Sequence, residues 1–357
     1  MSFSTILTAN GLTVTQWDNM LFQEYLDKLF WKPWMGARDT AAIHVDERLT
    51  GQPGDTIKFG VRSEVIGGRL TGEGQMEGNE GQIQYYPFSV VANIERQSVK
   101  MENIKISDQR AAFKLMSDAR PALSDKNKRN LEADITTALT DTSTGRVRGR
   151  YQYGATESNW NATHATALAN ITDANDKMTT NMIKRCKTKA RVPEQGAYAK
   201  IRPLQIKSGP QGGLQEWYMC VMHTYAANNL VDFDAAWKNA QLNIPPTTNM
   251  NNPIFTGSSF LGVWQGVLMY EWESMPLISS TTTVAHSLFL GAQAAILGWA
   301  QRPQFGEETS DYGHVKGFET CEIRGVKKVV WDRNTVNSTI SNEDNGVIQL
   351  FSAAVNT

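Results

Sequence analysis

Gly54-Asp55-Thr56-Ile57-Lys58-Phe59-Gly60-Val61-Arg62 and Gln82-Ile83-Gln84-Tyr85-Tyr86-Pro87-Phe88-Ser89-Val90-Val91 are two strand-like runs rich in β-branched and aromatic residues. Between them stand Gly67, Gly68, Gly72, Gly74, Gly78 and Gly81, a density of glycine that suits a flexible tip. Residues 51–100 therefore read as one long β-hairpin with nothing of its own to pack on. A lone two-stranded hairpin is marginal in water, and its open edges invite pairing with another chain. Either the rest of the molecule covers this arm or a neighbouring copy does. That choice separates a self-sufficient monomer from a polypeptide completed by its neighbours.

The 357 residues suffice for two or more domains with a sizeable core. Hydrophobic residues at 41% and charged residues at 20% are ordinary for a folded protein. Lys and Arg number 35 against 36 Asp and Glu, a balance that argues against a dedicated nucleic-acid binder. Cys186, Cys220 and Cys321 are odd in number and widely spaced, so no disulfide framework is indicated and a reducing cytoplasm fits. The start, Met1-Ser2-Phe3-Ser4-Thr5-Ile6, lacks a basic segment followed by an apolar run, so no secretory signal is expected. The most apolar window, 284–300, is interrupted by His286 and Gln293 and is too short to cross a membrane. Ten tryptophans suit large buried contacts within or between subunits.

Along the chain, Trp17, Met20, Leu21, Tyr25, Leu29 and Phe30 recur at helical spacing until Pro33. They read either as a short amphipathic helix on its own core or as an arm lying on a neighbour. Residues 106–141 read as a long helix, with Ser107-Asp108-Gln109-Arg110 at its start and Leu131, Ile135 and Leu139 on a buried stripe. Pro121 is expected to kink or divide it. Residues 142–172 read as loop and 173–190 as a second helix. In that helix Met178, Met182, Ile183 and Cys186 lie on one side, and Lys184, Arg185, Lys187 and Lys189 on a solvated other side. Strands are expected at 216–223, 260–272 (turning at Gln265-Gly266), 287–291, 318–324, 327–331 and 346–351, with helices at 224–230 and 292–300.

A search for chemistry finds little. Cys220 and His223 fall in one strand-like run, where alternation points them to opposite faces, and two ligands do not make a structural zinc site. His44, His164, His286 and His314 are scattered. No phosphate-binding loop is present: Gly72-Glu73-Gly74 lacks the third glycine of a dinucleotide fingerprint and carries acidic neighbours. The carboxylate pairs Glu271/Glu273 and Glu307/Glu308 are weak signals for glycosidase chemistry. No catalytic, cofactor-binding or metal-binding residue is assigned, and the expectation is a protein that is not an enzyme.

Five stretches, in this order, carry a resemblance. They are 54–59 (Gly-Asp-Thr-Ile-Lys-Phe); 72–80 (Gly-Glu-Gly-Gln-Met-Glu-Gly-Asn-Glu); 252–257 (Asn-Pro-Ile-Phe-Thr-Gly) leading to 262–267 (Gly-Val-Trp-Gln-Gly-Val); 290–295 (Leu-Gly-Ala-Gln-Ala-Ala); and 344–348 (Asp-Asn-Gly-Val-Ile). Together they resemble the major capsid proteins of tailed bacteriophages, in the branch first described for the coliphage N-four. The resemblance implies the α+β Hong Kong-type capsid fold, shared with herpesvirus shells and encapsulins. It places an N-terminal arm at 1–50, an extended β-hairpin loop at 51–100 and a peripheral domain with its long spine helix at 101–214. An axial domain at 215–310 and a return to the peripheral domain at 311–357 complete it. It further implies pentamers and hexamers of the same chain tiling an icosahedral virion shell. The protein would be made in the cytoplasm of a host bacterium, with portal and scaffolding or decoration proteins as partners and no membrane. Non-specific contact with packaged double-stranded DNA is expected, the basic helix near Lys184 being one guess at that face. Two alternatives stay open: an encapsulin-like compartment of the same fold, and a hydrolase using the Glu271/Glu273 region.

Overall fold

The computed structural model describes residues 30–50, 54–62, 69–81, 83–103, 105, 115–193, 199–208, 213–242, 259–331 and 342–354. The expected cap at 107–110 and most of the aromatic segment at 17–30 lie outside these residues. The strands, in chain order, are β1 (Met35–Gly36), β2 (Ile43–Asp46), β3 (Thr56–Arg62), β4 (Tyr85–Val91), β5 (Asn93–Met101) and β6 (Tyr151–Tyr153). Then come β7 (Leu204–Ser208), β8 (Gly213–Met222), β9 (Phe260–Trp264), β10 (Val267–Glu271), β11 (Leu277–Ser279) and β12 (Thr283–Leu290). The last are β13 (Ala295–Ser310), β14 (Val315–Lys328), β15 (Val330–Trp331), β16 (Glu343–Asp344) and β17 (Val347–Ala353). The helices are α1 (Leu115–Leu139), α2 (His164–Ala169), α3 (Thr180–Arg191), α4 (Thr224–Phe233) and α5 (Ala235–Leu242). The chain forms two compact units, a larger one of 29–94, 131–302 and 323–357 and a smaller one of 1–28, 95–130 and 303–322.

The larger unit is built on a mixed sheet in the order β6-β17-β12-β8-β10-β9, with β7 added to β8 and β11 to β12. Strand β8 shows why the order works. Tyr218, Cys220 and Met222 enter one apolar cluster with Met182, Ile183 and Leu230. Met219 and Val221 enter another with Trp31, Trp34, Ile135 and Leu139. A strand covered on both faces reads as a continuous apolar run, which is what 217–222 is. Gln265 and Gly266 have φ of 46° and 79°, the two left-handed positions of a type I′ turn, and they join β9 to the antiparallel β10 as expected.

Helix α1 runs unbroken through Pro121, so the proline does not divide it. Ile135 and Leu139 are fully buried, and Leu131 packs against the same core. Glu132 of α1 accepts from the Phe30 amide, and the Trp31 indole donates to the Thr136 hydroxyl at 3.1 Å. Pro33 falls in a single 3-10 turn, Lys32–Trp34, and both Trp31 and Trp34 are buried in this chain's own core.

Three local expectations are corrected. Residues 292–300 are not a helix: β13 starts at Ala295 and runs parallel to β2, with Ala295 opposite Ile43. Residues 295–299 are buried without alternation, and such a run does not distinguish helix from strand until a partner is known. The second helix starts at Thr180 rather than at Asp173. Asp176 is committed to the preceding loop, accepting from the amides of Thr172 and Ala155 at 2.9 and 2.8 Å. Asp234 caps the helix from outside, accepting from the Thr180 amide and hydroxyl at 2.6 and 2.7 Å. Finally, 142–172 holds β6 and α2, with Gln152 of β6 opposite Leu350 of β17 in parallel register.

In the smaller unit, Leu123 and Phe318 pack with Val99 and Met101. The Thr320 hydroxyl meets Asn127 at 3.1 Å, and Arg96 pairs with Glu319 at 2.7 Å on the surface. Strand β13 changes character along its length, being exposed at every position from Arg302 to Ser310.

Candidate interaction surface

Within 51–100 a hairpin is present over 56–62 and 85–91, whereas 93–101 forms β5 beside β14 in another sheet, and the hairpin's two ends have opposite environments. At the root, β3 pairs antiparallel with β4 from Thr56 opposite Val91 to Arg62 opposite Tyr85. Alternation sends Tyr86, Phe88 and Val90 inward, where they pack with Phe59, Ile296, Val329 and Trp331. The Phe88 and Trp331 rings meet edge to face, 5.8 Å apart. The approach is close enough to exclude a β-carbon. One added at Gly325 would sit 2.2 Å from the Val91 carbonyl oxygen, and one at Gly298 would sit 2.8 Å from Ile57. The expectation of a hairpin with nothing of its own to pack on is therefore wrong for the root, because half of its alternating positions are apolar and close a core with β13 and β15.

The outward positions are different. Tyr85 is 64% exposed, and Ile83, Val91 and Ile94 are also exposed. At the tip, residues 69–81 form no strand and every one is exposed. Leu70 and Met76, the latter 57% exposed, face solvent beside Glu73, Glu77 and Glu80. The tip is nevertheless an ordered turn: the Asn79 side chain donates to the Gln75 carbonyl at 3.1 Å and its amide to the Met76 carbonyl at 3.0 Å. Leu70, Met76, Ile83, Tyr85, Val91 and Ile94 place, among the described residues, a large share of the exposed bulky apolar side chains in one short segment. Such clustering marks a surface that another molecule covers.

A cavity of about 570 Å³ opens beside the root. Ile296, Val329 and Trp331 are among its apolar lining, and Arg62, Arg202 and Asp39 stand exposed at its edge. His44 Nδ1 and Trp331 Nε1 are buried there without a hydrogen-bond partner. Two further lining carboxylates are already paired: Asp46 with Arg48 at 2.6 Å, and Glu47 with Arg302. Burial opposes ionisation of Asp46, but the Arg48 hydrogen bonds and charge outweigh it and hold the carboxyl below its usual range. A second exposed feature lies in the smaller unit, where Asp311, Tyr312 and Gly313 turn β13 into β14 with φ of 50°, 48° and 86°. Tyr312 is 99% exposed at that turn.

Of the residues considered for chemistry, only Glu271 and His223 come near each other, Glu271 lying opposite Met222 where β10 runs beside β8. Cys220 is buried in β8, and burial pushes its thiol up. His223 follows the strand and caps α4, accepting from the Tyr225 amide at 3.0 Å, and burial lowers its pKa. Glu271 ends β10 and Glu273 lies in the exposed turn after it. Among the described residues no three His, Cys, Asp or Glu side chains cluster closely enough to hold a metal, and no described helix is long and apolar enough to cross a membrane.

The basic side of α3 is only partly solvated. Lys184 and Arg185 are exposed, whereas Lys187 donates to the Gln265 carbonyl. Lys189 is buried, 2.8 Å from the Tyr151 carbonyl and 2.9 Å from Glu157. Sequence reasoning also missed two buried ion pairs, Arg150–Glu343 at 3.5 Å and Lys328–Asp344 at 2.9 Å. Burial pushes the Asp344 carboxyl up to about 7 against the pull of Lys328. The turn at Tyr312 and the cavity left no motif in the sequence either.

Compared with known proteins, residues 5–356 match the family model described as phage capsid protein. No curated protein matches the sequence. Among solved structures, the chain superposes on the capsid asymmetric unit of cyanophage Pam1 with a TM-score of 0.82, 21% identity and 100% of both chains covered. It superposes on the capsid of Ralstonia phage GP4 with a TM-score of 0.76, 22% identity and 99% of each chain. The acid-stable capsid of Helicobacter pylori bacteriophage KHP30 gives 0.72, with 15% identity over 96% of this chain and 95% of that one.

Proposed function

Because this chain belongs to the phage capsid protein family and is a major capsid protein of a phage shell, we propose that the 51–100 hairpin is the part that ties one copy to the next. The observation that carries this reading is the contrast within one hairpin: a root packed on its own body and a tip with every residue exposed. A rigidly rooted lever with a bare end suits a heterologous contact, in which one patch of a copy meets a different patch of its neighbour. Such contacts close into rings, here pentamers and hexamers. A copy held by several neighbours leaves only when all contacts open together, so modest contacts suffice for a durable shell.

The wider division follows the same layout: an arm at 1–50, a peripheral domain at 101–214 with return at 311–357, and an axial domain at 215–310. The shell would enclose double-stranded DNA, with exposed Lys184 and Arg185 as candidate contacts to its phosphates. Near-neutral charge limits repulsion among many identical copies. The chain's role is structural rather than catalytic. Assembly in the host cytoplasm would draw on portal and scaffolding or decoration proteins.

Deletion of residues 64–82 tests the reading. The expected product is a soluble subunit with unchanged melting that forms no shells under electron microscopy. Intact shells from the deletion variant would remove the hairpin from the assembly mechanism.

A further inference from the structure

We infer that the cavity beside the hairpin root is the socket for the hairpin tip of a second copy of this chain, with Met76 entering the cavity and the tip glutamates meeting Arg62 and Arg202. The inference rests on the reading of the hairpin as an inter-copy tie and adds the place where it lands.

Two observations converge. The first is charge. Residues 69–81 carry Glu73, Glu77 and Glu80 against the single cation Arg69. No ion pair engages these glutamates among the described residues; Glu80 accepts only from the Gly78 amide, at 2.9 Å. At the cavity, the Asp46–Arg48 and Glu47–Arg302 pairs cancel. What remains exposed is Arg62 and Arg202, without ion-pair partners among the described residues, against Asp39 alone. An acidic tip and a basic rim from one sequence complement each other only between copies or on refolding. No tip residue lines the cavity, and the tip's own hydrogen bonds hold it as a turn.

The second observation is shape and polarity. The cavity of about 570 Å³ has an apolar floor of Ile296, Val329 and Trp331, ample for a methionine side chain. Methionine is unbranched and adapts to irregular apolar gaps. Met76 sits between Glu73 and Glu77, so an inserted Met76 brings carboxylates to the rim on either side.

The test uses full-length chains in an assembly assay read by sedimentation and electron microscopy, with subunit melting as a folding control. R62E/R202E and E73R/E77R are each expected to lower particle yield about tenfold or more, the scale of losing paired interfacial charges. Combining all four reversals is expected to restore shells. As a second readout, particles carrying M76C and G60C together are oxidised with diamide. Gly60 lines the cavity and has open space where a β-carbon would go. Each copy then supplies one thiol to either neighbour, and a ladder of covalent multimers is expected on denaturing gels, absent from either single variant. Wild-type yield from the reversals, no restoration on combination, or no ladder from assembled particles would each overturn the socket. If these fail while deletion of 64–82 still abolishes shells, the socket is wrong and the hairpin tie stands. If the deletion variant assembles, the tie itself falls.

Discussion

The root and the tip of the 51–100 hairpin belong to one element and meet opposite fates. At the root, every second side chain closes a core with Ile296, Val329 and Trp331, and glycines at 298 and 325 let the strands come close. At the tip, a turn held only by its own hydrogen bonds presents Leu70, Met76 and three glutamates to solvent. The difference teaches that in this chain stability and association are separable along one element. Changes at the root should act on folding, and changes at the tip on the shell.

The sharpest way to break that comparison is at Phe88. Phe88→Ala should cost about 3–5 kcal/mol of subunit stability, as truncation of a buried aromatic does, measured by denaturant unfolding. Met76→Ala should leave the same curve unmoved while lowering particle yield; equal effects on melting would erase the distinction. Next in size is a reference point far from the hairpin. His286 is buried in β12 with its Nε2 2.6 Å from Gln349 Oε1, and burial lowers its pKa to about 4. The unfolded chain takes up this proton near pH 6.5 and the folded one does not. The contribution is therefore complete above about pH 6.5 and is lost as pH falls toward 4, amounting to roughly 3 kcal/mol. His286→Gln should flatten that part of the pH–stability profile, and the hairpin-tip variants should leave it intact.

Gly325→Ala should cost about 1–3 kcal/mol, since its new methyl group meets the Val91 carbonyl and must push the root outward. Gly60→Ala, with open space around it, is the matched control, and similar losses from both would show that the root is not closely seated. The smallest effect is expected at the exposed pair Arg96–Glu319, 2.7 Å apart in the smaller unit. Arg96→Ala should leave melting unchanged, because solvent screens such a pair.

Much of this was legible beforehand. The hairpin was announced by its two β-rich runs and the glycines between them, and the I′ turn by Gln265-Gly266. The continuous apolar run of β8 and the Leu131/Ile135/Leu139 stripe of α1 also met their expected environments. What stayed hidden depends on partners distant in sequence. Residues 295–299 became strand because β2 lies beside them, some 250 positions earlier. Lys189 became a buried cation because Tyr151 and Glu157 surround it. The hairpin root found cover from residues around 296 and 330 that no local pattern connects to it. The cavity is formed from five separate stretches, and its Arg62 and Arg202 are unremarkable in the sequence.

Strand β17 has a consequence for timing. It lies between β6 and β12 in the central sheet and is buried at all seven positions, yet its residues are 347–353. A ribosome that has translated everything up to residue 346 has not yet made the strand that joins β6 to the rest of the sheet. Copies cut short before residue 347 are therefore expected to fold poorly and to be missing from particles, which a stop codon at position 347 would check.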